Sequence, residues 1–460
     1  MIRFLLLLSL SMPLLAVELP ERVQTALKHA KIPAENVAVV VREAHHAGVL
    51  INHHGEQPMN PASTMKLLTT LAGLELLGPD YRWKTEAYID GTLSDGVLHG
   101  NLWIKGYGNP KFTLEDLWLW LREMRARGLR DIQGDLLLDQ SYFADLPEDP
   151  GEFDNDPTRP YNVTPKALLL NFNAVRLNLV PNGERVNAWL EPPLHGYLLD
   201  NQLKVNEKLS CGHLYDYQFR LQGRQVTLNG TLPTRCGEVV RYAALLSHNE
   251  YFNAVFRRLW QDLGGTLSGQ MRTATVGSGT TLFASHASRP LVDSIYDINK
   301  FSNNIMARQL FLSLSDAVPA TPESSSMAIQ TWLALHDYNF PELVLENGSG
   351  LSRRERISAL HLADVLELAT RSPFAAELEA SLPIPGLDGT LKKRFLERDV
   401  PRRTHLKTGS LNGVKSIAGY VGDPQQRQWI VVFIVNHPRA AFAKAAQEEL
   451  INWLEQGMPQ

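Results

Sequence analysis

The chain is 460 residues long, about three times the usual length of a single domain, so it can bury a large core and hold more than one folding unit. It has 45 Lys and Arg against 49 Asp and Glu, a formal net charge of −4, with 44% hydrophobic and 20% charged residues. These values exclude a strongly basic nucleic-acid-binding protein and a largely disordered chain.

The first residues have the pattern of a secretory signal. Met1-Ile-Arg3 is followed by a nearly continuous apolar run over 4–15, then by Ala16 and a polar segment. A run of about a dozen residues is too short to cross a bilayer, and no later stretch of about eighteen apolar residues follows. We expect residues 1–17 to be a signal peptide. Cleavage near Ala16 would put Leu14 at the third position before the cleavage site, where a small residue is usual. The exact cleavage site, and retention of the segment as an anchor, therefore stay open.

The pattern of apolar residues predicts helices and strands near both ends of the chain. In chain order the expected elements are a helix over 20–30, a strand over 36–42, a strand from Leu50, a helix over 61–77 and, after a long interruption, a helix over 249–263, strands over 414–421 and 428–436 and a helix over 439–455. Between the helix over 249–263 and about residue 380, helical periodicity dominates.

The interruption over 83–245 has a different character. Its short apolar runs are separated by Gly, Pro, Asn and Asp, which indicates a mainly β region. One helix over 114–127 stands inside it, with Thr113 as its cap and Asp116 three residues on. Because the two ends are alike in kind, we predict one α/β domain split by a long β insertion. The expected boundaries are 18–82 and 266–460 for the divided domain, 83–174 and 233–265 for an inserted domain, and 175–232 for a further domain nested in it.

Cys211 and Cys236 are the only cysteines of the sequence. They form no CxxC motif, so redox chemistry is not indicated. Export would permit a disulfide between them. In the chain-entropy model, closing this loop would stabilise the folded state by about 3 kcal/mol. We predict that they are joined, with two unpaired buried thiols as the alternative, because sequence does not fix the geometry.

Ser63 and Lys66 are the first candidates for chemistry. They lie three residues apart at the start of a predicted helix, which places both side chains on one face. A serine nucleophile needs a base, and a lysine can be that base when burial or nearby cations lower its pKa. The helix N-terminus also favours negative charge on the serine oxygen. Alone, the pair is equally consistent with a solvated helix face.

Lys407-Thr408-Gly409 ends a β-like run ahead of the strand over 414–421. On a strand, Lys407 and Gly409 face the same side. Glycine lets a ligand backbone approach the strand edge, Lys407 offers a cation to a carboxylate, and the amide of Ser410 can point at an oxyanion.

Ser302-Asn303-Asn304 lies in a predicted helical region and supplies a hydroxyl and a carboxamide two residues apart. These groups are suited to relaying a proton and holding a substrate amide. Either this segment or the Lys407 segment alone could be ordinary surface.

Taken together, the motifs Ser-x-x-Lys, Ser-x-Asn and Lys-Thr-Gly resemble the set found in serine β-lactamases and penicillin-binding proteins. Further stretches are similar to the low-molecular-mass class C penicillin-binding proteins, the D-alanyl-D-alanine carboxypeptidase/endopeptidase family (peptidase family S13). These stretches are Pro61-Ala-Ser-Thr-Met-Lys-Leu-Leu-Thr-Thr70, Asn347-Gly-Ser-Gly-Leu-Ser-Arg353, Gly386-Leu-Asp-Gly-Thr-Leu-Lys-Lys-Arg-Phe395 and Ala418-Gly-Tyr-Val421. The gap between the first two motifs, 302 − 63 = 239 positions, agrees with a family that carries a large insertion there.

The resemblance implies a fold and a set of roles. The fold would be an α/β (α+β) transpeptidase-like domain, a β-lactamase-like three-layer sandwich, with one or two extra, mainly β domains. The implied roles are Ser63 as acylated nucleophile, Lys66 as its base, Ser302 and Asn304 as proton relay and amide contact, Lys407 and Thr408 as carboxylate ligands beside Gly409, and the amides of Ser63 and Ser410 as oxyanion hole.

Some positions depart from the family pattern. Asn303 and Asn347 stand where the family usually has Asp, and Arg308 stands where an acidic residue is common. Asp156 lines up loosely with a family aspartate that contacts the free amino group of a diaminopimelate side chain. A turn rich in Asp and Asn is the alternative for this segment.

The implied function is an exported, periplasmic serine-type carboxypeptidase and endopeptidase that acts on peptidoglycan stem peptides and cross-links and binds β-lactams. The alternative is a catalytically weak penicillin-binding sensor or binding protein of the cell wall, and the long insertion disfavours a β-lactamase. No cofactor or metal is expected, since the histidine pairs at 45–46 and 53–54 lack the spacing of a zinc-protease helix. No nucleic acid or membrane span beyond the signal is expected. Loose membrane association, oligomeric state and the ratio of the two activities stay open.

Overall fold

The computed structural model describes residues 18–46, 48–145, 149–208, 210–211, 217–396 and 403–458. The predicted signal peptide over 1–17 lies outside the described residues. The α-helices are α1 Glu21–Ala30, α2 Lys66–Leu77, α3 Leu114–Ala126, α4 His248–Asp262, α5 Leu291–Lys300, α6 Asn304–Ser313, α7 Pro322–Leu335, α8 Ala359–Arg371, α9 Ala375–Ser381 and α10 Lys444–Glu455.

The strands occupy both ends of the chain and most of the middle. They are β1 Val37–Glu43, β2 Val49–His53, β3 Pro58–Met59, β4 Lys84–Ile89, β5 Thr92–Ser94, β6 Val97–His99, β7 Leu102–Gly106, β8 Asp131–Ile132, β9 Leu136–Asp139, β10 Val175–Asn182, β11 Arg185–Glu191, β12 Leu198–Asn206, β13 Tyr217–Gln222, β14 Gln225–Pro233, β15 Val239–Ala243, β16 Thr266–Leu267, β17 Met271–Thr273, β18 Thr281–Ala287, β19 Ile357–Ser358, β20 His405–Leu411, β21 Val414–Gly422 and β22 Gln428–Asn436.

By its internal contacts the chain forms two compact units. The first takes in the described residues up to Leu76, the segment Ile295–Ser302 and the described residues from Trp332 onward. The second takes in Leu77–Ser294 and Asn303–Thr331. Each unit has its own sheets and its own hydrophobic core.

The first unit is built on a five-stranded antiparallel sheet in the order β2-β1-β22-β21-β20. Strands β1 and β22 have nearly unbroken apolar sequences and are buried almost throughout. Successive side chains of a strand point to opposite faces, so such a run needs cover on both. Helices α1 and α10 cover one face. On the other face, Arg42 of β1 forms an ion pair with Asp364 of α8 at 2.8 Å. The sheet therefore lies between two helical layers.

The second unit has a core between α3, α4 and two mixed sheets. The sheets have the orders β17-β9-β7-β4-β18 and β16-β8-β6-β5. Helix α3 contributes Leu117 and Trp120, and α4 contributes Phe256 and Trp260. Both helices begin with a capping box, and in α3 the cap is Thr113 with Asp116, as the sequence predicts.

A six-stranded sheet in the same unit has the order β13-β14-β12-β11-β10-β15. It encloses a small core of its own, formed by residues such as Leu179, Val186 and Leu228. A disulfide joins Cys211 to Cys236 next to this sheet, with the two Cα atoms 5.5 Å apart.

The boundaries of the compact units differ from the domain boundaries expected from the sequence. The chain returns to the first unit at Ile295 rather than at 266, because β16, β17 and β18 pair with β8, β9 and β4 of the second unit. These strands also break the region for which periodicity predicted helix. The assignment of a divided domain with two nested insertions stays a prediction.

Among the described residues, every helix is too short or too polar to cross a membrane.

Candidate active site

Ser63 lies in a short 3₁₀ turn, Ala62–Met65, that leads directly into α2. Ala62 has a left-handed backbone with φ 46°, a conformation that a non-glycine residue keeps only where its surroundings fix it. Asn60 provides part of that support. Its Oδ1 accepts from the N–H of Ala62 at 2.9 Å, and its Nδ2 donates to the carbonyl of Ser352 at 2.8 Å. The backbone at Ser63 is therefore held by a distant loop as well as by α2.

The side chains of Ser63 and Lys66 meet as their spacing predicts. Lys66 Nζ donates to Ser63 Oγ at 3.0 Å and to the carbonyl of Ser349. Lys66 is 0% exposed. Burial is the main cause that holds the pKa of Lys66 well below its usual range, the charge of Lys407 lowers it further, and the Glu355 carboxylate opposes both. A lysine in this state can accept a proton from a hydroxyl.

The loop over 346–355 lies behind Lys66. Its Gly348 carbonyl accepts from Thr69 Oγ1 of α2 at 2.6 Å. Glu355 is 0% exposed, and its Oε1 accepts the N–H groups of Glu346, Asn347 and Gly348 at 3.3, 2.9 and 2.8 Å.

Asn347 closes the same loop from within. Its Oδ1 accepts from the N–H and the hydroxyl of Ser349 at 3.0 and 2.7 Å, and its Nδ2 donates to the carbonyl of Leu351 at 3.0 Å. An ionised aspartate could accept the first two hydrogen bonds but could not donate the third. Asparagine therefore makes a contact here that the usual family residue cannot.

Ser302 and Lys407 form a second hydrogen-bonded pair. Ser302 follows α5 and has a left-handed backbone with φ 57°. Its Oγ accepts from Lys407 Nζ at 2.8 Å, and the same ammonium donates to the carbonyl of Thr408 at 2.9 Å. Lys407 is fully buried, and burial lowers its pKa to about 7.

Strand β20 carries Lys407, Thr408, Gly409 and Ser410 at one edge of the five-stranded sheet. An edge strand presents backbone groups with which an extended peptide can pair. Gly409 is required by close packing, because a Cβ there would lie 2.8 Å from the Pro61 carbonyl oxygen. This contact places the strand against the turn that precedes Ser63.

Two contacts flank the motif on β20. Thr390 Oγ1 lies 2.8 Å from Thr408 Oγ1, and Thr390 is an exposed residue whereas Thr408 is half-buried. Lys415 on β21 donates to Ser410 Oγ at 2.7 Å. Thr408 and Ser410 are therefore each held by a neighbour outside the motif.

Asn304 begins α6 in the second compact unit, two residues after Ser302 in the chain. Asn303 is the N-cap of that helix, and its Oδ1 accepts from the N–H of Met306 at 3.1 Å. Asn and Asp are about equally good N-caps, so the departure from the family residue at Asn303 preserves the cap. Arg308, on the same helix, donates to the Val163 carbonyl at 3.2 Å.

Asp156 also belongs to the second unit, and its contacts are local. Its Oδ1 accepts from the N–H and the hydroxyl of Thr158 at 3.1 and 2.6 Å, and its Oδ2 accepts from Arg159 Nε at 2.8 Å. The hydrogen bonds of Thr158, first, and those of Arg159 lower the pKa of Asp156. The carboxylate is 37% exposed. These contacts are typical of a polar turn, and its contact with a substrate stays a prediction.

Sequence reasoning missed Asn60, Glu355 and Thr390. Asn60 immediately precedes the quoted stretch at 61–70, and Thr390 lies inside the one at 386–395, but neither residue type signals a role by itself. Glu355 follows Arg353 and Arg354 in a polar segment that resembles an exposed turn. Within the described ranges, groups of three His, Cys, Asp or Glu side chains that could hold a metal ion are absent.

A model of the D-Ala-D-Ala carboxypeptidase 3 (S13) family matches residues 19–457. The chain belongs to this family. The resemblance inferred from the motifs is confirmed, and so, at the level of the family, is the expectation of a serine-type D-Ala-D-Ala carboxypeptidase. Of the motifs that carried the inference, Ser-x-x-Lys at 63–66 and Lys-Thr-Gly at 407–409 lie in the first compact unit. Ser302 lies there too, whereas Asn304 belongs to the second unit.

Two relatives of this S13 family member align over nearly the whole chain. D-alanyl-D-alanine carboxypeptidase DacB of Haemophilus influenzae is 26% identical over 444 residues, which is 94% of this chain and 91% of that protein. A D-alanyl-D-alanine carboxypeptidase of Actinomadura sp. strain R39 is 26% identical over 452 residues, 94% of this chain and 84% of that protein.

A solved structure has the same fold. The crystal structure of penicillin binding protein 4 (dacB) from Haemophilus influenzae matches with a TM-score of 0.79 at 25% identity, over 94% of this chain and 99% of that one. A structure of that protein in complex with a β-lactam matches with a TM-score of 0.74 at 23% identity, over 94% of this chain and 100% of that one. The predicted fold class, a penicillin-binding α/β domain with additional β domains, is confirmed.

Proposed function

We propose that this S13 family member hydrolyses the terminal D-Ala-D-Ala bond of peptidoglycan stem peptides through an acyl-enzyme on Ser63. One observation carries the proposal most directly. Lys66 Nζ lies 3.0 Å from Ser63 Oγ, within the reach that proton transfer needs. Burial also holds the pKa of that lysine well below its usual range, so the amine is available as a base.

Binding begins at strand β20. The extended end of a stem peptide pairs with this edge strand, and its terminal carboxylate is held by the buried cation of Lys407 and the hydroxyl of Thr408. Gly409 lets the peptide backbone lie against the strand. The amide of Asn304 holds a peptide group of the substrate.

Chemistry then proceeds in two halves. Lys66 takes the proton of Ser63 as the serine oxygen attacks the carbonyl of the penultimate D-Ala, and the backbone N–H groups of Ser63 and Ser410 stabilise the oxyanion. The C–N bond breaks, the terminal D-Ala leaves as its amine, and a proton passes to that amine from Lys66 through Ser302. Water then attacks the acyl-enzyme, with Lys66 again as the base, and releases the shortened peptide.

The proposal extends to cross-links, to β-lactams and to location. A D-Ala-diaminopimelate cross-link presents the same acyl group with a different amine as leaving group, so the same Ser63 chemistry cleaves it. A β-lactam acylates Ser63 but releases no amine that can diffuse away. Export by the signal over 1–17 places the enzyme in the periplasm, where these substrates lie.

Ser63→Ala tests the proposal. The variant is expected to lose both covalent labelling by a fluorescent penicillin and release of D-Ala from a pentapeptide, because no other group replaces the missing oxygen. Ser326→Ala, which removes a hydroxyl from α7, is the control and keeps both. Equal labelling of the Ser63 variant would overturn the assignment. Labelling without D-Ala release by the unsubstituted protein would identify a binding protein instead of an enzyme.

A further inference from the structure

Glu355 lies outside every motif of the sequence, yet it is completely buried behind the proposed base. We infer that Glu355 is a positioning residue for Lys66, which fixes the loop over 346–349 and supplies the negative charge that faces Lys66 when it takes the proton of Ser63. The inference rests on the proposed function, in which Lys66 is the base.

The first step is the burial of the carboxylate. Its Oε1 accepts three backbone N–H groups at 2.8–3.3 Å, while its Oε2 is buried and has no hydrogen-bond partner among the described residues. An ionisable group in this position is costly for folding unless a charge faces it. Burial raises the pKa of Glu355, and its three N–H donors and the charge of Lys66 oppose that rise. The charges of Lys66 and Glu355 therefore stabilise each other.

The second step is the path from Glu355 to Lys66. The N–H groups that Glu355 holds belong to residues 346–348, and the next carbonyl groups of that loop contact α2. Gly348 accepts from Thr69 Oγ1 at 2.6 Å, and Ser349 accepts from Lys66 Nζ. A displacement of this loop would therefore move the acceptor that fixes the direction of the Lys66 amine relative to Ser63.

The third step is charge. Two charged groups shift the pKa of Lys66 in opposite directions, since Lys407 of β20 lowers it and Glu355 raises it. When Ser63 forms its bond to the substrate carbon, its O–H bond breaks and the proton makes Lys66 an ammonium. Without Glu355, that buried ammonium would be opposed by the Lys407 cation alone. The carboxylate favours the ammonium and so strengthens Lys66 as a base.

Glu355→Gln separates charge from shape, because glutamine keeps an oxygen for the three N–H groups and removes the negative charge. Loss of that charge makes the ammonium form of Lys66 less stable, so the pKa of Lys66 falls. The rising limb of the acylation rate against pH, measured with a fluorescent penicillin, is expected to move by about one unit toward acid. The plateau rate is expected to fall about three- to tenfold.

Two variants serve as controls. Glu346→Gln removes a carboxylate from the same loop, where Glu346 contacts Ser352 and Arg354 and its side chain is 34% exposed. For Glu346→Gln, the rising limb of the acylation rate is expected to lie at the same pH as for the unsubstituted protein. Glu355→Asp keeps the charge while shortening the side chain, so it is expected to lose rate without moving the limb. A Gln variant that melts like the unsubstituted protein and keeps its limb in place would overturn the inference.

A measurement on the unsubstituted protein covers the case in which the Gln variant does not fold. Infrared spectra of protein with labelled glutamate, recorded before and after acylation and assigned by comparison with Glu355→Asp, are expected to show Glu355 as a carboxylate in both states. A protonated carboxyl band for Glu355 in the resting protein at pH 7 would overturn the inference. Failure of the proposed function would give a different result, because the unsubstituted protein would then not be acylated at Ser63 at all.

Discussion

The ammonium of Lys407 and the hydroxyl of Ser302 lie 2.8 Å apart, although 105 positions separate them in the chain. Lys407 is fully buried, and burial lowers its pKa from 10.5 to about 7. A buried cation held by a hydroxyl and a carbonyl is poorly compensated, and a ligand carboxylate would supply the missing charge. The folded protein therefore gives up stability to keep this cation in place.

The first prediction tests that cost with Lys407→Met, an apolar replacement of similar volume. The unfolded chain holds a proton on this lysine up to about pH 10.5, whereas the folded chain loses it near pH 7. Between these values the unfolded state binds more protons, so the stability contributed by Lys407 rises with pH and its cost is largest below pH 7. At pH 6 the variant is expected to have a larger free energy of unfolding than the unsubstituted protein, by a few kcal/mol at most, and therefore to melt at a higher temperature. At pH 9 the difference is expected to be smaller.

Thermal melts at the two pH values measure this difference. The same variant is expected to bind peptides with a free terminal carboxylate more weakly than peptides amidated at that end, relative to the unsubstituted protein. If the gain in melting temperature over the unsubstituted protein were smaller at pH 6 than at pH 9, the assigned direction of the pKa shift of Lys407 would be wrong.

The second prediction concerns Lys66→Met. Loss of the base is expected to slow acylation by about 10²- to 10⁴-fold, while the dissociation constant of the initial penicillin complex changes little, because the carboxylate contact belongs to Lys407. Stopped-flow labelling over a range of penicillin concentrations separates the two quantities. If binding and acylation weakened by the same factor, Lys66 would be a binding residue.

Much of the fold follows from local patterns in the sequence. β22 occupies 428–436 as its unbroken apolar run predicts, and α3 has the capping box expected at Thr113. Patterns were less informative where an element is short or partly exposed. β18 has a largely exposed sequence in a region read as helical, and it forms a strand because it pairs with β4. Its structure depends on a partner far away in the chain.

The site divides in the same way. Ser63 and Lys66 are three residues apart, so helix geometry alone brings them together. Ser302 and Lys407 were matched to motifs by their order, but their contact depends on long-range packing. Glu355 could not be found, because nothing in a run of Arg353, Arg354 and Glu355 tells the one buried charge from the exposed ones.

The third prediction concerns the disulfide between Cys211 and Cys236. Replacing both residues with serine is expected to destabilise the six-stranded sheet by about 3 kcal/mol. Hydrogen exchange in β12 and β14 is expected to speed up, whereas the rate of penicillin labelling stays the same, because Ser63 lies in the other compact unit. Peptide mass analysis without reduction provides the direct check, and two free thiols would contradict the bridge.

The last prediction concerns Asp156. Its hydrogen bonds with Thr158 and Arg159 lower its pKa, so it is an anion at neutral pH. If the free amine of a diaminopimelate residue reaches this carboxylate, the contact is charge-assisted and worth about 1.5 to 3 kcal/mol. Arg159 already occupies Oδ2 at 2.8 Å, so the amine must share the charge, and the expected effect lies near the lower bound.

Asp156→Ala is therefore expected to lower the cleavage of substrates with the free amine by about tenfold. Labelling by a simple penicillin, which lacks that amine, is expected to stay within experimental error, because the contact is absent from it. The matched control is Asp145→Ala, which removes a carboxylate that is 93% exposed and paired with Lys166 in the same unit. Equal loss on amine-bearing substrates and penicillin would mean that the substitution damaged the fold. No loss on either would leave Asp156 as the acceptor of a polar turn, since its contacts with Thr158 and Arg159 already account for its conformation.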